Sequence, residues 1–102
     1  MQIVAQQDTC ETRNVIWRQE YKGKNNKKRY TIVSRIEPTD ATKAAAYDIR
    51  KFLEIENGEI IPTKSGVRLP HSIIVEVLEA LYKSLDEVQR NDFMDRICGG
   101  TK

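Results

Sequence analysis

Cysteine, histidine and long hydrophobic runs are scarce or absent in this 102-residue chain. Each scarcity excludes a class of function. Two cysteines, Cys10 and Cys98, lie near opposite ends with no second pair beside them. That is neither a disulfide framework nor a zinc site, so a reducing, intracellular compartment is expected: cytoplasm or nucleoid, or the nucleus in a eukaryote. His71, the single histidine, stands beside Pro70 with no nucleophile paired to it, and a surface position suits it better than general-base chemistry. No glycine-rich phosphate cradle and no Cys/His group at ligand spacing occurs. The expectation is a protein with no catalytic residue, metal or cofactor. No apolar run approaches a membrane span, and the opening MQIVAQQDTCET lacks the basic-then-apolar order of a signal peptide, so no membrane partner is expected.

What the chain does have is charge, unevenly placed. Hydrophobic residues make up 39% and charged residues 31%, the balance of one folded domain and not of a disordered chain. The net charge of +2 conceals a basic block. Between residues 18 and 35 stand Arg18, Lys22, Lys24, Lys27, Lys28, Arg29 and Arg35 against Glu20 alone. A run of this kind is commonly a solvated face; it is also the footprint of a polyanion partner.

Strand composition recurs three times. VIWRQEY (15–21) places Val15, Trp17 and Tyr21 on one alternating face, and KGKNNKK (22–28) reads as a hairpin loop. RYTIVSRI (29–36) sets Tyr30, Ile32 and Ile36 opposite Val33 and Arg35. In AAAYDIRKFLEI (44–55), Tyr47, Ile49, Leu53 and Ile55 share one parity and Asp48, Arg50, Phe52 and Glu54 the other. Asn57-Gly58 then predicts a two-residue hairpin and a short fourth strand at about 65–69. Glu54, Glu56 and Glu59 around that turn read as ordinary solubilising charges.

After Pro70 the period becomes helical, with Ile73, Ile74, Val77, Leu78, Leu81, Leu85 and Val88 forming a stripe roughly 140° wide. Val75 and Tyr82 widen it to roughly 200°, more than one small sheet needs to cover it. A second copy of the same helix is the preferred cover, through Ile74, Val77, Leu78, Leu81, Tyr82 and Leu85. The fold class expected is α+β: four strands followed by one long C-terminal helix, dimerising through that helix. Residues 15–90 form the domain, 1–14 an N-terminal extension and 91–102 a tail. The sheet face turned from the helix would carry the arginines and lysines.

Asp48-Ile49-Arg50, Phe52, Gly58-Glu59, Pro62, Lys64, Gly66, Val67 and Leu69, running into the helix, share a joint spacing. On that spacing residues 48–81 resemble the DNA-binding domain of the transcriptional coactivator family known as positive cofactor four. The resemblance covers about a third of the chain. Two departures stand in it: the family's aromatic pair is Phe52-Leu53 here, and Ser65 replaces the lysine common before the glycine. The resemblance implies a curved four-stranded antiparallel sheet followed by one long C-terminal helix, in a homodimer that pairs through the helices, binds single-stranded or melted DNA with little sequence preference and has no catalytic centre.

Single-strand binding needs cations that follow phosphates and flat side chains for bases. The candidates are Arg18, Arg35 and Arg50 on strands, and Lys22, Lys24, Lys27, Lys28 and Arg29 around the first hairpin. Lys64 and Arg68 follow near the second. Phe52 is either a stacking ring or core, and the same choice stands for Trp17. Arg50 is either a phosphate clamp or the structural partner of Asp48 or a neighbouring glutamate. The function expected is sequence-independent single-stranded DNA binding in transcription, replication or recombination, with proteins of those processes as further partners. The alternatives are RNA as ligand, or a dimeric adaptor for an acidic protein.

Overall fold

The computed structural model describes residues 2–3, 11–40 and 42–99; Cys10, most of the 1–14 extension and Gly100 onward lie outside them. The chain divides into two compact units, Met1–His71 and Ser72–Lys102.

The first unit is a four-stranded antiparallel sheet with a short parallel strand at one margin. Its strands are β1 (Gln2–Ile3), β2 (Glu11–Lys22), β3 (Lys28–Pro38), β4 (Ala46–Glu54) and β5 (Glu59–Pro70), in the order β1-β5-β4-β3-β2. β1 pairs parallel to β5, and every other pairing is antiparallel. Both expected hairpins form. At the first, Asn25 and Asn26 take positive φ, which asparagine tolerates, and Gly23 N–H donates to Lys27 O at 2.9 Å. The second connection, residues 55–58, is four residues between β4 and β5 instead of two. Gly58 sits at φ +86, its N–H donates to Ile55 O, and Ile55 N–H donates to Glu59 O, each at 2.9 Å.

Several boundaries differ from the sequence reading, for local reasons. β2 begins at Glu11 and not at Val15, which brings Arg13 into the sheet. A register shift between Val15 and Trp17 adds a residue there, so these two side chains fall on opposite faces instead of sharing one. The short fourth strand expected at 65–69 is a 12-residue β5, because its ladder absorbs an irregularity opposite Arg50–Phe52. Gly66 is placed where the chains crowd: a Cβ there would lie 2.7 Å from Ile49 O and 2.8 Å from Arg50 Cα.

In β3 the face of Tyr30, Ile32 and Ile36 is the buried one, and in β4 the buried parity is that of Asp48 and Phe52. Tyr30, Ile32, Phe52 and Ile60 form the core, fully buried, and Asp48 and Ser34 are enclosed on the same face. Each of the four apolar side chains contributes roughly 1.5–3 kcal/mol by leaving water, a small core for a domain of this length. On the other face the ladder aligns Trp17, Val33, Ile49 and Val67 in one row across four strands. Trp17 is 52% exposed, Ile49 38% and Val67 49%. The sheet curls toward its buried side. Arg68 Nη1 of β5 meets Glu11 Oε2 of β2 at 2.8 Å, across two intervening strands. Three strand spacings on a flat sheet would be roughly 14 Å.

The second unit replaces the single long helix with two. Pro70 ends β5, His71–Ile73 make a 3₁₀ turn, and α1 runs Ile74–Ser84. Leu85 is extended (φ −69, ψ 149), and Asp86 caps α2 (Glu87–Met94) by accepting from Gln89 N–H at 2.8 Å. An N-cap carboxylate starts a helix cleanly, so the break belongs to the Ser84-Leu85-Asp86 segment. α2 crosses the boundary drawn at residue 90, and a π-helical turn (Asp95–Gly99) follows. Phe93, which had no assigned face, meets Tyr82 with ring centroids 5.6 Å apart.

Candidate nucleic-acid interface

The concave face is held by one carboxylate. Asp48 is fully buried and accepts from Arg13 Nη1 at 2.9 Å, Arg50 Nη2 at 3.0 Å and Arg50 Nε at 3.1 Å. Arg68 Nε stands 3.7 Å away, and Arg13 also donates to Ser34 Oγ. Burial alone would raise the Asp48 pKa, but the hydrogen bonds from Arg50 and Arg13 outweigh it and hold the carboxyl below its usual range. Arg13 lies over the Phe52 ring, 5.4 Å from its centroid. Glu11, Arg13, Asp48, Arg50 and Arg68 therefore act together as an inner clasp across the curl.

This decides two open readings. Phe52 is core, not an exposed stacking ring, because it is fully enclosed beneath Arg13. Arg50 is engaged as the structural partner of Asp48, and its Nη1 donates to Thr63 O at 3.0 Å. Arg68 is divided between Glu11 and Asp48. The arginines of the curl thus have anions already, and a phosphate must compete for them.

The expected cations separate by face. Arg18 shares a ladder row with Ile32 and Arg50. Arg35 lies on the opposite face, bonded to Glu37 and to the Tyr47 hydroxyl, with its guanidinium 5.4 Å from the Tyr47 ring centroid. Its hydrogen bond to Glu37 raises its pKa. Arg29 pairs with Leu53 on that outer face and folds over Gly23, where an added Cβ would lie 2.2 Å from its Nε. The strand arginines expected on one basic face are therefore divided between two.

The hairpin lysines are different. Lys22, Lys24, Lys27 and Lys28 are exposed, and among the described residues none is in an ion pair. Lys22 and Lys28 are direct ladder partners. Like charges in that position repel, so the pair costs stability until an anion arrives. Lys64 is exposed in the irregular stretch of β5 and also has no ion pair among the described residues.

β2 is the free margin of the sheet, and its two faces meet there. Trp17 and Tyr21 border the margin from the outer face, and Arg18 and Lys22 from the inner. Beyond the tip, Asn26, Lys27 and Lys28 and the segment Leu53–Glu56 line a groove of about 590 Å³. Glu54, one of the lining residues, accepts at Oε1 from the Tyr30 hydroxyl at 2.9 Å. Burial and that bond push the Tyr30 pKa up to about 12, so the phenol stays a donor at neutral pH.

In the second unit, Ile74, Val77, Tyr82 and Leu85 are half-buried, while Leu78 is 57% and Leu81 58% exposed. Val75, Leu78, Leu81, Tyr82, Leu85 and Phe93 line an apolar concavity of about 490 Å³. Among the described residues no His/Cys/Asp/Glu group could hold a metal, and no helix is long and apolar enough to cross a membrane.

Sequence reasoning missed Arg13 and Glu11, because the strand was begun at Val15. It placed Asp48 only as a partner for Arg50, though aspartate among arginines on strands of matching parity carried the signal. Comparison with protein-family models, with curated proteins and with solved structures finds no match for the chain.

Proposed function

We propose that this protein binds single-stranded DNA without sequence preference, as a homodimer, and holds unwound DNA during transcription, replication or recombination. The observation that carries the reading is the β2 margin. An exposed tryptophan and a tyrosine flank it on one side, and it leads into a tip whose four lysines are in no ion pair among the described residues. A flexible strand following this margin finds π-faces for its bases and cations for its phosphates, neither of which reads sequence. Stiff duplex DNA bends less readily around a hairpin tip. The resemblance of residues 48–81 to positive cofactor four points the same way.

Dimerisation is supported by exposed apolar side chains within each unit: Trp17, Ile49 and Val67 on the sheet, and Leu78 and Leu81 on α1. Contiguous exposed apolar surface of this kind marks an interaction site. The α1 stripe, with Leu78 and Leu81 outward, is the proposed twofold contact.

Fluorescence anisotropy of a labelled mixed-sequence single strand, against its duplex and its RNA counterpart, tests the reading at low and moderate salt. Tight single-strand DNA binding with a duplex deficit and a steep salt dependence is the expected result. Tighter binding of the ribose strand would make RNA the ligand. Negligible binding to all three would leave the dimeric adaptor for an acidic protein.

A further inference from the structure

The groove between the two hairpins has a chemistry that the margin lacks. Lys27 and Lys28 stand on one wall, Leu53 and Ile55 give an apolar surface, and Glu54 and Glu56 supply carboxylates. Its volume of about 590 Å³ lies within the ordinary range for small-ligand sites, roughly 300–1,000 Å³. Glu54 is not a loose surface charge. The Tyr30 hydroxyl, anchored on a fully buried ring, donates to Oε1 and fixes the carboxylate. Glu54 itself lines the groove, and with Oε1 taken by a donor its second oxygen keeps acceptor capacity.

We infer that this groove takes one unstacked nucleobase carrying an exocyclic amine, with Glu54 accepting from the amine and Lys27 or Lys28 on the adjoining phosphate. The inference rests on the single-strand reading above and adds a base preference to it. Cytosine offers an N4 amine, for which a carboxylate is the matching acceptor. Thymine presents a carbonyl at the same edge, and two acceptors oppose each other there. The apolar wall of Leu53 and Ile55 suits the face of either pyrimidine, so discrimination falls on Glu54. Continuity favours this path: the margin ends at Lys22, the tip carries Lys24 and Lys27, and the groove begins at Asn26 to Lys28.

Glu54→Gln tests this, because it replaces a carboxylate that only accepts with an amide that also donates. With the carbonyl turned to the Tyr30 hydroxyl, the amine is left for the groove. That arrangement opposes cytosine and suits thymine. Affinities of homopolymeric dC and dT strands of equal length are measured for the parent and for Glu54→Gln, with circular dichroism checking that the variant folds. The expected parent preference for dC is about fivefold or more, and the variant's dC/dT ratio falls to unity or inverts. Tight, salt-dependent and equal binding of dC and dT by the parent would overturn the inference and leave the single-strand reading standing. A dC preference unmoved by Glu54→Gln would remove the groove from it. No binding of either strand would end both.

Discussion

Replacing Asp48 with asparagine is expected to cost the fold about 3 kcal/mol, from the loss of a charge and not of a shape. Three hydrogen bonds at 2.9–3.1 Å join the carboxylate to Arg13 and Arg50. Bonds to a charged acceptor contribute roughly 1.5–3 kcal/mol each, and neutral ones roughly 0.5–1.5. Asparagine keeps one oxygen but turns an amine toward guanidinium donors, so about 1 kcal/mol is lost per bond. Breaking a buried pair costs about 3–5 kcal/mol, and the lower end applies because the guanidiniums are not fully enclosed. Their side chains are 10% exposed for Arg13 and 19% for Arg50. For a domain of this size the melting temperature should fall by roughly 12–24 °C. The assay is thermal unfolding followed by circular dichroism at one fixed protein concentration, since dimerisation would make the midpoint concentration-dependent. A loss below about 1 kcal/mol would refute the reasoning, because the arginines would then be solvated with little penalty.

The same clasp sets an acid limit: Asp48 is held below its unfolded pKa of about 3.9, so its contribution is present above that pH and lost as pH falls through the folded value. Acid titration of unfolding should show this limb in the parent and lose part of it in Asp48→Asn; superimposable limbs would remove Asp48 from it. Asp48→Asn should also tighten single-strand binding, because Arg50 and Arg68 no longer face a buried anion, and anisotropy at constant salt would detect unchanged affinity as a contradiction. Trp17 is the chain's only tryptophan, so its fluorescence should be quenched by an unlabelled single strand, and Trp17→Ala should weaken binding by about 1–3 kcal/mol. Leu78→Asp should shift the sedimentation profile from dimer to monomer; a profile identical to the parent's would refute a twofold contact at α1.

Much of this architecture is written in local chemistry. Asn25-Asn26 and Asn57-Gly58 tolerate positive φ, and both turns are readable for that reason. The alternation of β3 and β4 is readable because pairing leaves their side-chain period undisturbed. The register shifts at Val15–Trp17 and opposite Arg50–Phe52 are not readable, since an inserted residue flips the parity without altering composition. Whether Phe52 was core or a stacking ring stayed open for a related reason. Asp48 looks like a solvent residue until Arg13 and Arg50 are known to surround it, and those contacts span 35 and two residues. The helix break was legible and overlooked: Asp86 three residues before Gln89 is a start signal inside an otherwise helical period. Of the candidate cations, the hairpin lysines were named from charge density alone. The division of the arginines between two faces required the ladder.

The most direct test of the β2 margin and its tip is the salt dependence of single-strand affinity for the parent and for a variant with Lys22, Lys24, Lys27 and Lys28 all changed to alanine. If all four lysines neutralise phosphates, the slope of log affinity against log salt should become shallower by about 3, at roughly 0.7 per contact. An identical slope in the two proteins would place the phosphates elsewhere and contradict the reading.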